Sequence, residues 1–201
     1  MPKLSRSGFY VDAKGDVVTT IEAVAQCARV TIDTDTEATV LAQDASSGLA
    51  ILRPKQALAP EVFAHLQAGP SRAGAQISVA GYSYEGKLPA PVLTLGSLAE
   101  TVGLNGEAGV ARLSLPLLPG DAGGPVLDAT GSVIGMVLAG VKTGAKVLPE
   151  GVAFAVQAPA IAQALLAAGI SAQMSDMSEI ATPDALSAAG MGMTVLVSCW
   201  D

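Results

Sequence analysis

The side chains able to do chemistry are few and widely spaced. His65 is the single histidine, and Cys27 and Cys199 are the two cysteines. Two thiols and one distant imidazole lack the clustered spacing of a metal site, so neither a metal nor another cofactor is expected. His65 falls in a connection between strand groups and reads as a surface histidine rather than a general base. The cysteines leave two readings open. They are two buried thiols, or they form one disulfide tying the first quarter of the chain to its end, which implies an oxidising compartment. Glu22, Asp44 and Asp121 are the carboxylates placed near turns. Acid/base work by such a set needs two of them at a suitable separation in one cleft.

The strongest local signal is Leu118-Pro119-Gly120-Asp121-Ala122-Gly123-Gly124-Pro125-Val126-Leu127-Asp128. Three glycines allow a tight turn closed to other residues, and Pro125 fixes its exit into an apolar strand. After a short turn, Gly131 to Leu138 supplies a second apolar strand.

The elements that must position this turn are mostly strands. Ser7–Val11, Asp16–Thr20, Ala28–Ile32, Ala38–Ala42 and Leu49–Leu52 form one group of short strands, with a hairpin turn at Asp12–Gly15 and a helical turn at Glu22–Gln26. Pro54–Gly74 reads as a connection holding a short helix at Glu61–Gln67. A second group follows in Ala75–Ala80, Val92–Leu98, Gly109–Leu113, Pro125–Asp128, Ser132–Leu138 and Val152–Val156. Pro159–Ala168 is an Ala/Leu-rich helix, with proline in its first turn and Gly169 past its end. Thr182 is placed to cap a second helix that starts at Pro183. Met193–Cys199 reads as a last strand. Short strands with Gly/Pro turns at this spacing predict barrels or sandwiches.

The 201 residues carry a net charge of -7, and aromatics make up only 3%, so the core is built of small aliphatic side chains. The acidic balance argues against nucleic acid and against anionic lipid as partners. The longest apolar run, Ser132–Val141, falls far short of the roughly 20 residues of a membrane helix, so no membrane insertion is expected.

The glycine turn resembles the nucleophile loop of trypsin-like (chymotrypsin-fold) serine proteases, in particular the bacterial HtrA/Deg-like branch. Ser7-Gly8-Phe9-Tyr10-Val11 to Thr19 resembles the opening hairpin of that domain, and Asp44 to Leu52 resembles the strand entry of its catalytic aspartate. The resemblance covers roughly Ser7 to Val156. It implies an all-β fold of two six-stranded Greek-key barrels, within a domain spanning 1–157 (first barrel about 1–55, second about 75–157). Residues 158–201 would supply helices and a terminal strand packed on the barrels.

Carried over position by position, the resemblance puts Glu22 where the family has its histidine, Gly48 where it has its aspartate and Ala122 where it has its serine. A methyl group cannot attack a carbonyl, and nucleophile activation needs an imidazole oriented by a carboxylate. The resemblance therefore implies a degenerate, inactive member, a pseudoprotease. The backbone N–H groups of Gly120 and Ala122 would form the residual oxyanion hole. Pro116, Leu117 and Leu118 would line an uncharged primary pocket. Met136, Val137, Leu138, Ala139 and Gly140, running on to Val141, would form a strand that pairs with an extended peptide, while Lys142 or Pro149 would guard its edge.

The family's domain has a strand before the Ser-Gly-Phe hairpin that is not evident here. The first barrel is thus one strand short unless another segment completes it. Met193–Cys199 is the candidate, and a Cys27–Cys199 bond would hold it there if the two Cα atoms lie within about 7 Å. Met1 to Gly8 has no apolar secretion signal, so a periplasmic or secreted location presumes a processed or truncated form. The leading expectation is an inactive homologue that binds an unidentified protein or peptide. The alternatives are a hydrolase with a non-triad site, a protease family member inactivated by substitution, or a purely structural domain.

Overall fold

The computed structural model describes residues 1–140 and 149–201. Val141 and Lys142 of the expected peptide-pairing edge lie outside them, and Pro149 is exposed coil.

The first strand group begins with β1 (Leu4–Tyr10), β2 (Val17–Thr20) and a single 3-10 turn at Ile21–Val24, followed by β3 (Arg29–Ile32), β4 (Thr36–Asp44) and β5 (Leu49–Pro54). The connection holds β6 (His65–Leu66). The second group is β7 (Gln76–Gly81), β8 (Val92–Glu100), β9 (Val110–Ser114), β10 (Pro125–Asp128), β11 (Val133–Val137) and β12 (Val152–Gln157). After it come α1 (Ala158–Ala167), β13 (Gln173–Met174), α2 (Pro183–Met193) and β14 (Thr194–Trp200).

Two closed barrels result. The first runs in the order β1-β14-β3-β4-β5-β2. The second runs β10-β7-β8-β9-β12-β11 and closes through the β10–β11 pairing, with β6 and β13 added in parallel beside β11. The missing strand of the first barrel is β14. It lies antiparallel to β1 from Leu4↔Cys199 to Phe9↔Thr194 and antiparallel to β3 on its other side. The terminal strand is therefore part of the first barrel rather than a layer packed on it, and a boundary at 157/158 cuts across that barrel. Cys27 and Cys199 form a disulfide, with Cα atoms 5.3 Å apart.

Period-two alternation sorts side chains between three cores. Phe9, Val18, Leu49 and Ile51 face the seam between barrels, where they meet Leu127, Met136 and the buried face of α1 (Ile161, Leu165). Their neighbours Tyr10, Val17, Ala50 and Leu52 fill the first barrel. Ile134 and Val137 fill the second. α1 and α2 form as expected, and the Thr182 hydroxyl accepts from the Ala185 N–H at 3.2 Å.

The helix expected at Glu61–Gln67 does not form. The Ala64 N–H donates to the Tyr10 carbonyl at 2.8 Å, and that of Gln67 donates to Val133 at 2.9 Å. Barrel backbone thus takes the donors a helix would use. Ala64 and Leu66 are buried in the seam core with Val62 partly so. That alternation is the period-two signal of an extended segment.

The disulfide joins positions 172 apart and pins the strand that closes the first barrel. Replacing both cysteines by alanine is expected to lower stability by about 2–5 kcal/mol, a drop in Tm of about 5–15 °C by calorimetry. An unchanged Tm would mean that β14 is held by its pairing alone.

Candidate functional site

β1 lies in the seam between the barrels, and the glycine turn packs directly on it. The Ser7 N–H donates to the Ala122 carbonyl at 3.0 Å. The Ser7 hydroxyl donates to the Gly120 carbonyl at 2.7 Å and accepts from the Tyr82 N–H at 2.8 Å. The Thr19 hydroxyl donates to the Ser7 carbonyl at 2.7 Å. This close approach explains the glycines. Gly123 has φ +87°, and a Cβ there would overlap the Ser7 carbonyl oxygen; a Cβ at Gly120 would overlap that of Tyr82.

The turn itself is a single 3-10 turn, Pro119–Asp121. The Ala122 N–H donates to the Pro119 carbonyl at 3.3 Å. This corrects the expectation that Gly120 and Ala122 both keep free oxyanion donors, because one of the two is satisfied inside the turn. The Asp121 side chain folds back beneath it. Its Oδ1 accepts from the Ser83 hydroxyl at 2.6 Å, and its Oδ2 accepts from the Leu118 N–H at 2.8 Å. Asp121 is only 2% exposed. Burial pushes its carboxyl above the ordinary value, against the lowering effect of those two hydrogen bonds.

Beside the turn lies a cavity of about 780 Å³. Leu115, Leu117, Leu118, Val137, Leu138 and Phe154 give it apolar walls, with Ala122, Ala139 and Gly140 beside them. Two expected groove residues are elsewhere. Met136 is fully buried in the seam core, because alternation along β11 turns it away from Val137. Pro116 is exposed, one residue out of phase with Leu115 and Leu117, and does not line the cavity.

Arg6 and Glu22 stand at the cavity rim. The Arg6 side chain is 9% exposed and lies between two carboxylates, Glu22 at 2.8 Å and Glu85 at 2.7 Å. It also donates to the Ser5 carbonyl at 2.9 Å. Two partners offset the desolvation of this buried guanidinium, while its Nε has no partner among the described residues; of the two carboxylates only Glu22 lines the cavity. Arg6 and Glu85 were not singled out from the sequence. The available signal was a lone basic residue inside the apolar strand β1; nothing local marked Glu85.

Of the three positions compared with the triad, two line this cleft. Glu22 and Ala122 line it directly. Gly48 does not line it; it has φ +71°, and a Cβ there would lie 3.4 Å from the side chain of Leu138, which does. Asp44 is not at the cleft. It caps the β4–β5 turn, accepting from the Ser46 and Ser47 hydroxyls, which hold its carboxyl below the usual range. It borders a separate depression of about 600 Å³ against α1. Glu22, Asp44 and Asp121 are thus divided among a rim, a hairpin and a buried turn. His65 sits in β6 with its ring against Phe63 and does not line the cleft. Among the described residues no cluster of three His, Cys, Asp or Glu is placed to hold a metal, and no helix is long and apolar enough to cross a membrane.

Two closed six-stranded barrels with a cleft beside the β9–β10 turn define the architecture of chymotrypsin-like proteases. The family profile described as trypsin-like peptidase domain matches residues 6–136, and the chain belongs to that family. A serine endoprotease structure from Yersinia pestis superposes with a TM-score of 0.68 at 17% identity, covering 83% of this chain and 58% of that one. An inactive-form structure of Rv3671c from Mycobacterium tuberculosis H37Rv, carrying a serine-to-alanine substitution, gives 0.64 at 28% identity, covering 82% and 84%. The serine protease Rv3671c sequence is 32% identical over 148 residues, which is 67% of this chain and 36% of that protein. An uncharacterised protein of Sinorhizobium fredii is 25% identical over 203 residues, 96% of this chain and 32% of its own length. The chain therefore spans about a third of the curated relatives it matches.

Gly123→Ala is expected to destabilise the fold by about 2–4 kcal/mol, read from urea unfolding, because it combines overpacking with an unfavourable positive φ. A loss under 1 kcal/mol would mean that the seam can relax. A second expectation concerns pH. The raised Asp121 carboxyl makes the native state bind more protons than the unfolded state between 3.8 and its native value. The slope of unfolding free energy with pH is then negative, so this contribution is lost as pH rises through that window. Subtracting the Asp121→Asn profile from that of the native protein should leave this decline. A difference flat with pH would contradict the raised carboxyl.

Proposed function

We propose that this domain is a proteolytically inactive binding module for a peptide or protein segment, acting in the periplasm or outside the cell. One observation carries the reading. The cleft beside the glycine turn has apolar walls among the described residues, while the positions that resemble the triad hold Glu22, Gly48 and Ala122. Ala122 has no nucleophilic atom, and losing such a nucleophile alone typically costs about 10⁶ in turnover. Glu22 is paired with Arg6 instead of orienting a reacting group.

The cleft suits an extended chain. Its walls take an apolar side chain, and Ala139 and Gly140 have no backbone partner among the described residues, so they can pair with an added strand. The disulfide supports an oxidising compartment. A hydrolase built on other carboxylates is less favoured, because Asp44 and Asp121 are committed to turns away from the cavity.

The test pairs a hydrolysis assay with a binding assay. Casein and a peptide panel should remain uncut, while end-blocked leucine peptides should bind with Kd of about 10–1000 μM by titration calorimetry. Leu117→Glu, which puts a charge into the apolar wall, should weaken that binding by about tenfold or more. Cleavage by the native protein would overturn the inactive reading, and absence of binding by every peptide would overturn the binding reading.

A further inference from the structure

We infer that the depression between the β4–β5 turn and α1 binds a linear aliphatic amine, with its alkyl chain inside and its ammonium group at Asp44. This site is separate from the cleft and does not depend on the peptide-binding reading.

The depression has a volume of about 600 Å³, within the range of roughly 300–1,000 Å³ typical of small-molecule sites. Leu49, Ile51 and Val156 form its inner wall, each at most 2% exposed. α1 supplies a second wall through Ala160, Ala164 and Ala167. These positions, i, i+4 and i+7, share one face of the helix and span about 10 Å of its axis. Methyl groups alone leave that face a smooth strip, against which a straight alkyl chain can lie along its length.

Asp44 is the one ionisable side chain lining the depression among the described residues. Its Oδ1 accepts from the N–H and the hydroxyl of Ser46, and its Oδ2 accepts from the hydroxyl of Ser47. Those bonds hold the carboxyl below its usual range, so it is ionised at neutral pH. The turn supplies hydrogen bonds but no counter-charge. No lysine or arginine among the described residues lies within ion-pair distance of Asp44. A carboxylate offers about four acceptor positions, and three are taken here, which leaves one on Oδ2.

That imbalance selects the ligand. An alkyl chain filling the depression displaces water from beside Asp44, which costs free energy unless the ligand replaces those contacts. An alcohol at the chain end restores a hydrogen bond but no charge. A carboxylate is repelled. An ammonium group supplies both a donor and the opposite charge.

The experiment titrates the protein with hexylamine, hexanol and hexanoate, three probes of one chain length, by ligand-observed NMR at pH 7 and low salt. Hexylamine, protonated at this pH, should bind with Kd on the order of 1 mM. It should bind about threefold to fivefold tighter than hexanol and about tenfold or more tighter than hexanoate. Asp44→Asn should bring hexylamine down to the level of hexanol while leaving hexanol unchanged, which also reports that the turn is intact. Ala167→Phe, at an exposed position of α1, should abolish binding of both, whereas Leu117→Glu in the cleft should change neither. Equal binding of the three probes, or of none, overturns the inference. A preference for hexylamine that survives Asp44→Asn also overturns it, because the preference would then come from the overall charge. Self-association that Ala167→Phe abolishes would assign the depression to a second copy of the chain and overturn it equally.

Discussion

The structure depends on one close approach, that of the β1 backbone to the glycine turn around Ser7. In the space of one residue, Ser7 satisfies the carbonyls of Ala122 and Gly120 and the amide of Tyr82, and it receives the hydroxyl of Thr19. Apart from the half-buried Tyr82, these groups are buried between two barrels, where an unpaired donor or acceptor costs about 1–3 kcal/mol. The seam is therefore a polar stitch inside an otherwise aliphatic interface, and it sets how the barrels meet.

That constraint accounts for the glycines of the turn without reference to the side chains around it. Gly120 and Gly123 are demanded by backbone packing across the seam rather than by chemistry. The Ala122 methyl is buried at the cleft floor and its N–H is closed into the 3-10 turn. Selection on the barrels alone is enough to keep these glycines, so the motif reports fold more strongly than activity. The cleft follows from the same geometry, since it lies in the gap between the turn, the end of β11 and the start of β12.

The rim shows how a carboxylate beside an apolar cavity is accommodated. Glu22 would be a carboxylate at the edge of an apolar cavity, and Arg6, reaching from β1, gives it a partner while Glu85 holds the guanidinium from the other side. A half-exposed pair of this kind contributes little to stability.

Much of this was legible in the sequence. The Gly/Pro punctuation and period-two runs placed most strands, and the Pro159, Gly169 and Thr182 signals placed both helices, because those features are local to backbone geometry and capping. The Leu118–Asp128 stretch carried the family, since few turns need three glycines at that spacing. The extended path of residues 61–67 was visible only in the alternation Val62, Ala64, Leu66, and helix-compatible composition masked it until β1 and β11 took their backbone donors. Tertiary structure alone decided the rest. It gave β14, which the sequence had offered as the completing strand, its place between β1 and β3, turned Met136 into the seam, engaged the Ala122 amide and brought Arg6 and Glu85 together from positions 79 apart. The physical reason is common to all four. Local sequence sets which conformations a segment can adopt, whereas barrel closure sets which distant groups must share a buried space, and no local pattern records that partner.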